Sequence, residues 1–328
     1  MYMEKKRHHF VAEAYLAAFC NGDEKLCVYF KDKAGDFQFI RPNAIAFEKF
    51  YYSQPLPTGG RDNNSIEDFF SKIETRWPPL VQKIESHESL SRDDKITLLE
   101  FVILHRVRVP AARDAAEKML AERVKMETLR LVDSGAVPPP PESLGNLVDT
   151  LRVAIDPHMS MHAMVGMAEG MSEVFNAIGF EILENHTSQE FITSDNPVVF
   201  FDPTVSLSLI EPYNINRSRL EIEFMFPITP RLMLWGHSVL KGTAGQYNSV
   251  PRRNLTDKAF VERANMLAVR FGYRCVFSST CDHRPIVERF AGRSPVTSAA
   301  HLRTDRGRAL HVRSTFSKRQ TKPKWKSP

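Results

Sequence analysis

The chain has 328 residues, 42% hydrophobic and 25% charged, with a net charge of +5. That supports one large domain or two ordinary ones with a sizeable core. No membrane-spanning helix is expected, because no run of about twenty apolar residues exists. The charged start, Met1 to Phe10, lacks the apolar stretch of a signal peptide. Cys20, Cys27, Cys275 and Cys281 form no CxxC pair, which argues against a zinc ribbon and for free thiols in a reducing cytoplasm. Part of the basic excess sits in the tail, where Lys318, Arg319, Lys322, Lys324 and Lys326 follow the last acid, Asp305. Such a tail reads as a solvated end that favours phosphates.

In chain order, Glu13 to Phe19 has a short helical pattern, stopped by Asn21-Gly22-Asp23. Leu26 to Phe30 and Phe37 to Ile40 alternate around Lys33-Ala34-Gly35-Asp36 and predict a hairpin. Pro42 to Tyr52 reads as a short helix with Ile45, Phe47 and Phe50 inward and Glu48 available. Ser65-Ile66-Glu67-Asp68 carries a capping-box pattern and opens a helix to about Trp77, where Pro78-Pro79 interrupts. Arg92 to Val109 is a strongly apolar helix that Pro110 kinks or breaks, and Ala111 to Leu131 continues it. Pro138 to Pro141 makes an extended connector. Leu144 to Ile178 is helical, restarted at Asp156-Pro157, with five methionines suited to adaptable packing.

After Gly179 the period changes to that of strands: Phe180 to Leu183, Phe191-Ile192, Val198 to Phe201, Ile222 to Phe226 and Leu232 to Trp235. Thr256 caps a helix through Val269, and Tyr273 to Phe277 is a strand. Beyond Asp282 the periodicity fades, so residues 292–328 are expected to form a basic, poorly ordered tail. The fold class is therefore α+β. A mainly helical block over residues 65–178 packs on an antiparallel sheet built from the N-terminal hairpin and the later strands. Residues 1–291 form one interlocked domain, with the first and last strands in one sheet.

The chain turns on Phe191-Ile192-Thr193-Ser194-Asp195-Asn196-Pro197-Val198-Val199. Two β-prone runs flank a polar corner, and the proline keeps Asn196 out of the helical region. Asp195 and Asn196 are then presented at a strand end, either as chemistry on a rigid corner or as an Asx-turn that joins two strands.

Several segments together resemble a bacterial family known only as domain of unknown function 4238. They are His8-His9-Phe10-Val11 before Tyr15-Leu16-Ala17-Ala18-Phe19, Ile45 to Glu48 ending in Tyr51, and Arg108-Val109-Pro110-Ala111-Ala112-Arg113. Phe191 to Val199, Phe226 to Pro230, and Asn265 ahead of Cys275 to Ser278 complete the set. The resemblance spans roughly Lys6 to Ser279 and implies a soluble bacterial protein; it names no reaction. The family usually has proline where this chain has Ala12.

His8, His9, Glu48 and Asp195, with Asn196 beside it, form the first candidate constellation. Imidazole and carboxylate brought together suit acid–base catalysis, and Asp195, His9 and Glu48 suit a divalent metal. The alternative is a structural N-terminus whose histidines bond carbonyls. His105, Arg106, Arg108 and Arg113 form the second. Buried arginines need partners, and Asp195 and Glu74 are the acids in question. A phosphate or carboxylate ligand is the functional alternative, held by Arg108 and Arg113 with His105 and Asn196. His158-x-x-x-His162 has metal-ligand spacing, but Met159 stands where a zinc protease needs Glu. Arg306-x-x-x-x-His311 falls in a non-periodic tail and is discounted. Ser194 and Ser278-Ser279 lack a nucleophile elbow, and there is no phosphate loop or dinucleotide fingerprint.

Two functions follow as expectations. One is a nuclease or phosphoester hydrolase acting as toxin or defence effector. It would use Asp195 with His8 or His9 and Glu48, would suit a divalent metal, and would take nucleic acid or a phosphorylated ligand. The other is a non-catalytic module that binds a protein or small ligand in the same cleft.

Overall fold

The computed structural model describes residues 4–144, 147–215, 221–242, 250–305 and 307–319. It opens with β1 (Arg7–His9) and the short helix α1 (Glu13–Ala17), then the hairpin β2 (Leu26–Phe30) and β3 (Phe37–Ile40). The expected helix over Pro42 to Tyr52 is instead a 3-10 turn at Pro42–Ala44 and the strand β4 (Phe47–Lys49). Ala46 and Phe50 take left-handed φ of 56° and 57° at its two ends, so no helix can run through either. β4 pairs antiparallel with β1, His8 opposite Glu48 and His9 opposite Phe47.

A two-residue pair, β5 (Gln54–Pro55) and β6 (Arg61–Asp62), leads into helices α2 (Ser65–Glu74) and α3 (Trp77–Glu85). The capping box read at Ser65 does not form. Asp62 Oδ1 accepts the Asn64 and Ser65 amides at 2.9 and 3.0 Å instead. Pro78 and Pro79 sit in the first turn of α3, where missing N–H groups matter least. α4 (Arg92–Val107) carries a true capping box between Ser91 and Asp94, and α5 (Pro110–Asp133) starts on its proline. α6 (Leu147–Thr150) and α7 (Pro157–Ala177) follow, the latter capped by Asp156 as its Asp-Pro start suggests.

The second half supplies β7 (Gly179–Asn185), β8 (Thr193–Ser194), β9 (Val199–Phe201), β10 (Glu223–Thr229), β11 (Leu232–His237) and β12 (Arg252–Leu255). α8 (Lys258–Phe271) is capped by Asp257 rather than Thr256. β13 (Cys275–Ser278), α9 (Arg284–Phe290), β14 (Ser294–Thr304) and β15 (Gly307–Ser317) complete the chain. β14 and β15 form an eleven-pair hairpin where a poorly ordered tail was expected. Its sequence is too polar to show apolar alternation, but it lies along α5, with His301 2.9 Å from Glu122 and Arg308 2.5 Å from Asp133.

The architecture is α+β. The strands divide between two main sheets rather than one: β12-β7-β11-β10-β9, in which β12 runs parallel to β7, and the antiparallel β3-β2-β13-β8. β2 from the start of the chain pairs with β13 from near its end. α1 plugs the space between sheets and helices. Tyr15 is fully buried, donates to Pro227 O at 2.8 Å and shares a 2.6 Å bond with Thr193 Oγ1. Trp77 stacks on Phe101 at 3.8 Å behind it. Among the described residues, no helix is long and apolar enough to cross a membrane.

Candidate active site at the N-terminal ribbon

Successive side chains in a strand point to opposite faces, so His8 and His9 cannot share a role. His8 faces inward and is fully buried. Its Nδ1 accepts the Tyr52 amide at 2.8 Å, its Nε2 lies 3.1 Å from Lys5 O, and its ring stacks on Tyr52. Burial pushes its pKa down. Both nitrogens are occupied, which makes His8 a latch for the ribbon.

His9 faces the other way. Its Nδ1 lies 3.3 Å from Glu13 Oε1, on the first residue of α1, while its Nε2 is buried without a hydrogen-bond partner. The Asn43 carbonyl also lies against the ring, and a proton placed on Nδ1 towards Glu13 leaves Nε2 as the basic atom. Burial lowers the His9 pKa to about 4; Glu74 opposes that shift and Arg108 adds to it. Glu67, on α2, meets the His9 main-chain amide. Burial raises it to about 7, with Arg108, Lys5 and the His9 amide pulling back and Glu74 pushing further. Its Oε1 also lacks a partner. Burial, then Glu74, raises Glu13, while Arg7 lowers it.

Arg108 closes the back of this cluster. It is fully buried, donates Nη1 to Glu74 Oε1 at 2.5 Å, and places Nη2 3.2 Å from His105 Nε2. Its Nε is unpartnered. His105 is a buried, neutral anchor: it donates Nδ1–H to Phe101 O at 2.8 Å and accepts the Ala12 amide on Nε2 at 3.1 Å. Burial and Arg108 hold its pKa far below the usual imidazole range. Ala12 has φ −60° and ψ 135°, a conformation proline would accept, but proline has no N–H to give His105.

The other predicted residues lie elsewhere. Asp195 is almost fully buried, and its two oxygens accept the Tyr273 and Arg274 amides at 2.7 and 2.8 Å. Burial raises its pKa, while those amides, Arg274 and Lys31 lower it. Lys31, itself lowered by burial, donates to Val269 O, Gly272 O and Arg293 O at 2.6, 2.6 and 2.7 Å. Asn196 donates Nδ2 to Phe271 O at 2.7 Å and to Tyr213 Oη. The corner therefore clamps the end of α8. Its acid and amide meet backbone, not the histidines, because the Asx geometry that presents them also aims them at residues 271–274.

Glu48 accepts from Arg274 Nη1 at 2.5 Å, so Asp195 reaches the ribbon only through Arg274. Arg113 donates to Ser160 Oγ, Tyr51 O and Pro157 O at 3.0, 2.6 and 2.8 Å, so each of its three nitrogens already holds a partner. The triad Asp195, His9 and Glu48 is not assembled as a ligand set. Among the described residues, no group of three or more His, Cys, Asp or Glu is placed to hold a metal ion. His158 and His162 do share a face of α7, ring centroids 5.0 Å apart, without a third ligand. Arg306 and Lys322, Lys324 and Lys326 lie outside the described residues; His311 is exposed on β15.

The structure thus joins one half of each predicted constellation: His9 from the first, Arg108 and His105 from the second, with Glu74 as the arginine's acid. Sequence reasoning missed Glu13 and gave Glu67 only a capping role. The usable signal was closeness in the chain, because His9 ends β1 and Glu13 opens α1.

A family model described as a protein of unknown function, DUF4238, matches residues 7–282. The chain belongs to that family. The matched span takes in the ribbon, the helices that carry Glu67, Glu74 and Arg108, and the corner, but stops short of β14 and β15. No curated protein and no solved structure matches the chain.

Proposed function

We propose that the protein is a phosphoester hydrolase whose acid–base pair is His9 and Glu67. The observation that carries this reading is the His9–Glu13 contact, with His9 Nε2 left unpartnered and Glu67, whose carboxyl burial raises to about 7, meeting the His9 main-chain amide. Groups whose environments drive their pKa values apart in this way are matched to acid and base work. In the reaction, which requires the ribbon to open because His9 Nε2 is buried here, that nitrogen takes a proton from water as its oxygen attacks phosphorus. The ester P–O bond breaks, and Glu67 gives its proton to the departing oxygen. Lys6, Arg7 and Lys49 are exposed along β1 and β4 and supply positive charge for the phosphate. Glu74 and Arg108 hold the pair in place from behind. Nucleic-acid backbone is the substrate class this rim favours, in a cytoplasm that keeps Cys20, Cys27, Cys275 and Cys281 unpaired.

The test is hydrolysis of bis(p-nitrophenyl) phosphate and a single-stranded oligonucleotide by wild type, His9→Ala and Glu67→Gln. Loss of general acid–base catalysis lowers the rate by about 100-fold or more in each variant. The wild-type profile should plateau between about pH 4 and pH 7, the two shifted values. A folded His9→Ala protein at full rate, or a folded wild type that cleaves neither substrate, refutes the proposal. Slowed growth of a bacterial host on expression, relieved by His9→Ala, would add the toxin role.

A further inference from the structure

A groove of about 850 Å³ runs between α5, α7, the Glu211–Asn214 turn and β15, and shares no residue with the His9 cluster. Its walls are apolar where Met119, Leu120, Met167 and Leu310 meet it. Space is kept open by Gly166 in the middle of α7, where an added Cβ would touch nothing within 4 Å. Glycine inside a helix is unfavourable, so its room here has a structural cost.

Arg106 lies on the floor. Its guanidinium sits 3.7 Å from the centroid of the Tyr213 ring, and its Nη1 is buried with no hydrogen-bond partner. Among the described residues it has no ion pair. Tyr213 is held for this contact. It takes a left-handed φ of 62°, its hydroxyl bonds Asn196, and its ring packs on Phe200 and Phe271. The acid in the wall, Glu211, is already taken by Arg313 and Asn214. Arg123, exposed at the rim, has no acid partner among the described residues, and His311 is exposed beside it. The uncompensated charge in an otherwise apolar groove is therefore positive, and it ends in a planar fork suited to an oxyanion.

We propose that this groove binds a small amphipathic organic anion, with its oxyanion head on Arg106 and its apolar body along Met119, Leu120 and Met167. The volume falls within the usual range for small-ligand sites. The head is a carboxylate or a phosphate, and the probes separate the two.

Isothermal titration of the full chain with dodecanoate, dodecyl phosphate and dodecyltrimethylammonium tests it. One of the two anions should bind at a single site at least tenfold more tightly than the cation. Arg106→Met should weaken that binding at least tenfold, the loss expected for a charge-assisted pair. Gly166→Phe should abolish it by filling the groove while leaving the circular dichroism spectrum unchanged. His9→Ala should bind like wild type, so this proposal and the hydrolase reading fail separately. Equal binding of anion and cation, or binding unaffected by Gly166→Phe, overturns the proposal even if Arg106→Met does not fold. So does sedimentation showing self-association of wild type that Gly166→Phe removes, since the groove would then be an interface between copies.

Discussion

The corner at Thr193 to Pro197 and the cluster around His9 each hold a carboxyl that burial raises and use it in opposite ways. In the corner, both Asp195 oxygens are filled by main-chain amides. In the ribbon cluster, His9 Nε2, Glu67 Oε1 and Arg108 Nε are all left over. A carboxylate saturated by backbone holds a fold together. An imidazole with one nitrogen oriented and the other idle is available for chemistry. What separates the two regions is whether the titratable group keeps an open site, since the leftover atom in the corner, Asn196 Oδ1, belongs to a neutral amide.

The sharpest way to break the comparison is Asp195→Ala. It orphans the Tyr273 and Arg274 amides and removes the nearby negative charge that supports Lys31, and should cost about 3 kcal/mol or more in urea unfolding. Any activity lost should follow only the unfolded fraction; a fully folded, inactive Asp195 variant would return catalysis to the corner. His8→Ala comes next, at about 2–3 kcal/mol for a buried, stacked and doubly bonded ring, whereas His9→Ala should cost about 1 kcal/mol or less. Equal losses at the two positions would erase the distinction between latch and base.

A finer test uses pH. His9 is depressed to about 4 when folded, so its contribution to stability is present above its unfolded value of 6.5 and is lost as pH falls towards 4. Glu67 is raised to about 7, so its contribution is present below its unfolded value of 4.5 and is lost as pH rises towards 7. Between about pH 4.5 and 6.5 the two trends oppose each other. His9→Asn should make stability fall more steeply with rising pH in that window, and Glu67→Gln should make it rise, as read by melting temperature. Identical slopes for both variants would separate the pair. The smallest effect is at Ala12→Pro, where reduced freedom of the unfolded chain offsets part of the lost bond to His105, for a net loss of about 1 kcal/mol. A stabilised Ala12→Pro variant would show that the Arg108 contact alone satisfies His105.

Elements with local causes were legible in the sequence. The hairpin of β2 and β3, the proline start of α5 and the Asp156 cap of α7 each follow from neighbouring residues. β4 was not, because its extended shape comes from left-handed Ala46 and Phe50 and from pairing with β1, which lies some forty residues away. β14 and β15 were missed because their polar faces answer to α5 rather than to a core. In the site, His9 and Arg108 were visible as chemistry-bearing residues, and Glu74 as a partner acid. Their meeting was not visible, since it depends on how α1, α2 and α4 pack. The appeal of Asp195 was real at the level of turn chemistry, and the same chemistry turned it towards the backbone.

The pairing of β2 with β13 has a consequence for synthesis on the ribosome. Leu26 to Phe30 must wait for a partner strand made about 250 residues later, roughly ten to fifty seconds at ordinary elongation rates. During that interval an apolar edge of Leu26, Cys27, Val28, Tyr29 and Phe30 is open to any other nascent strand. Yield in the cell should therefore depend on chaperone capacity and on translation speed more than equilibrium stability alone would suggest.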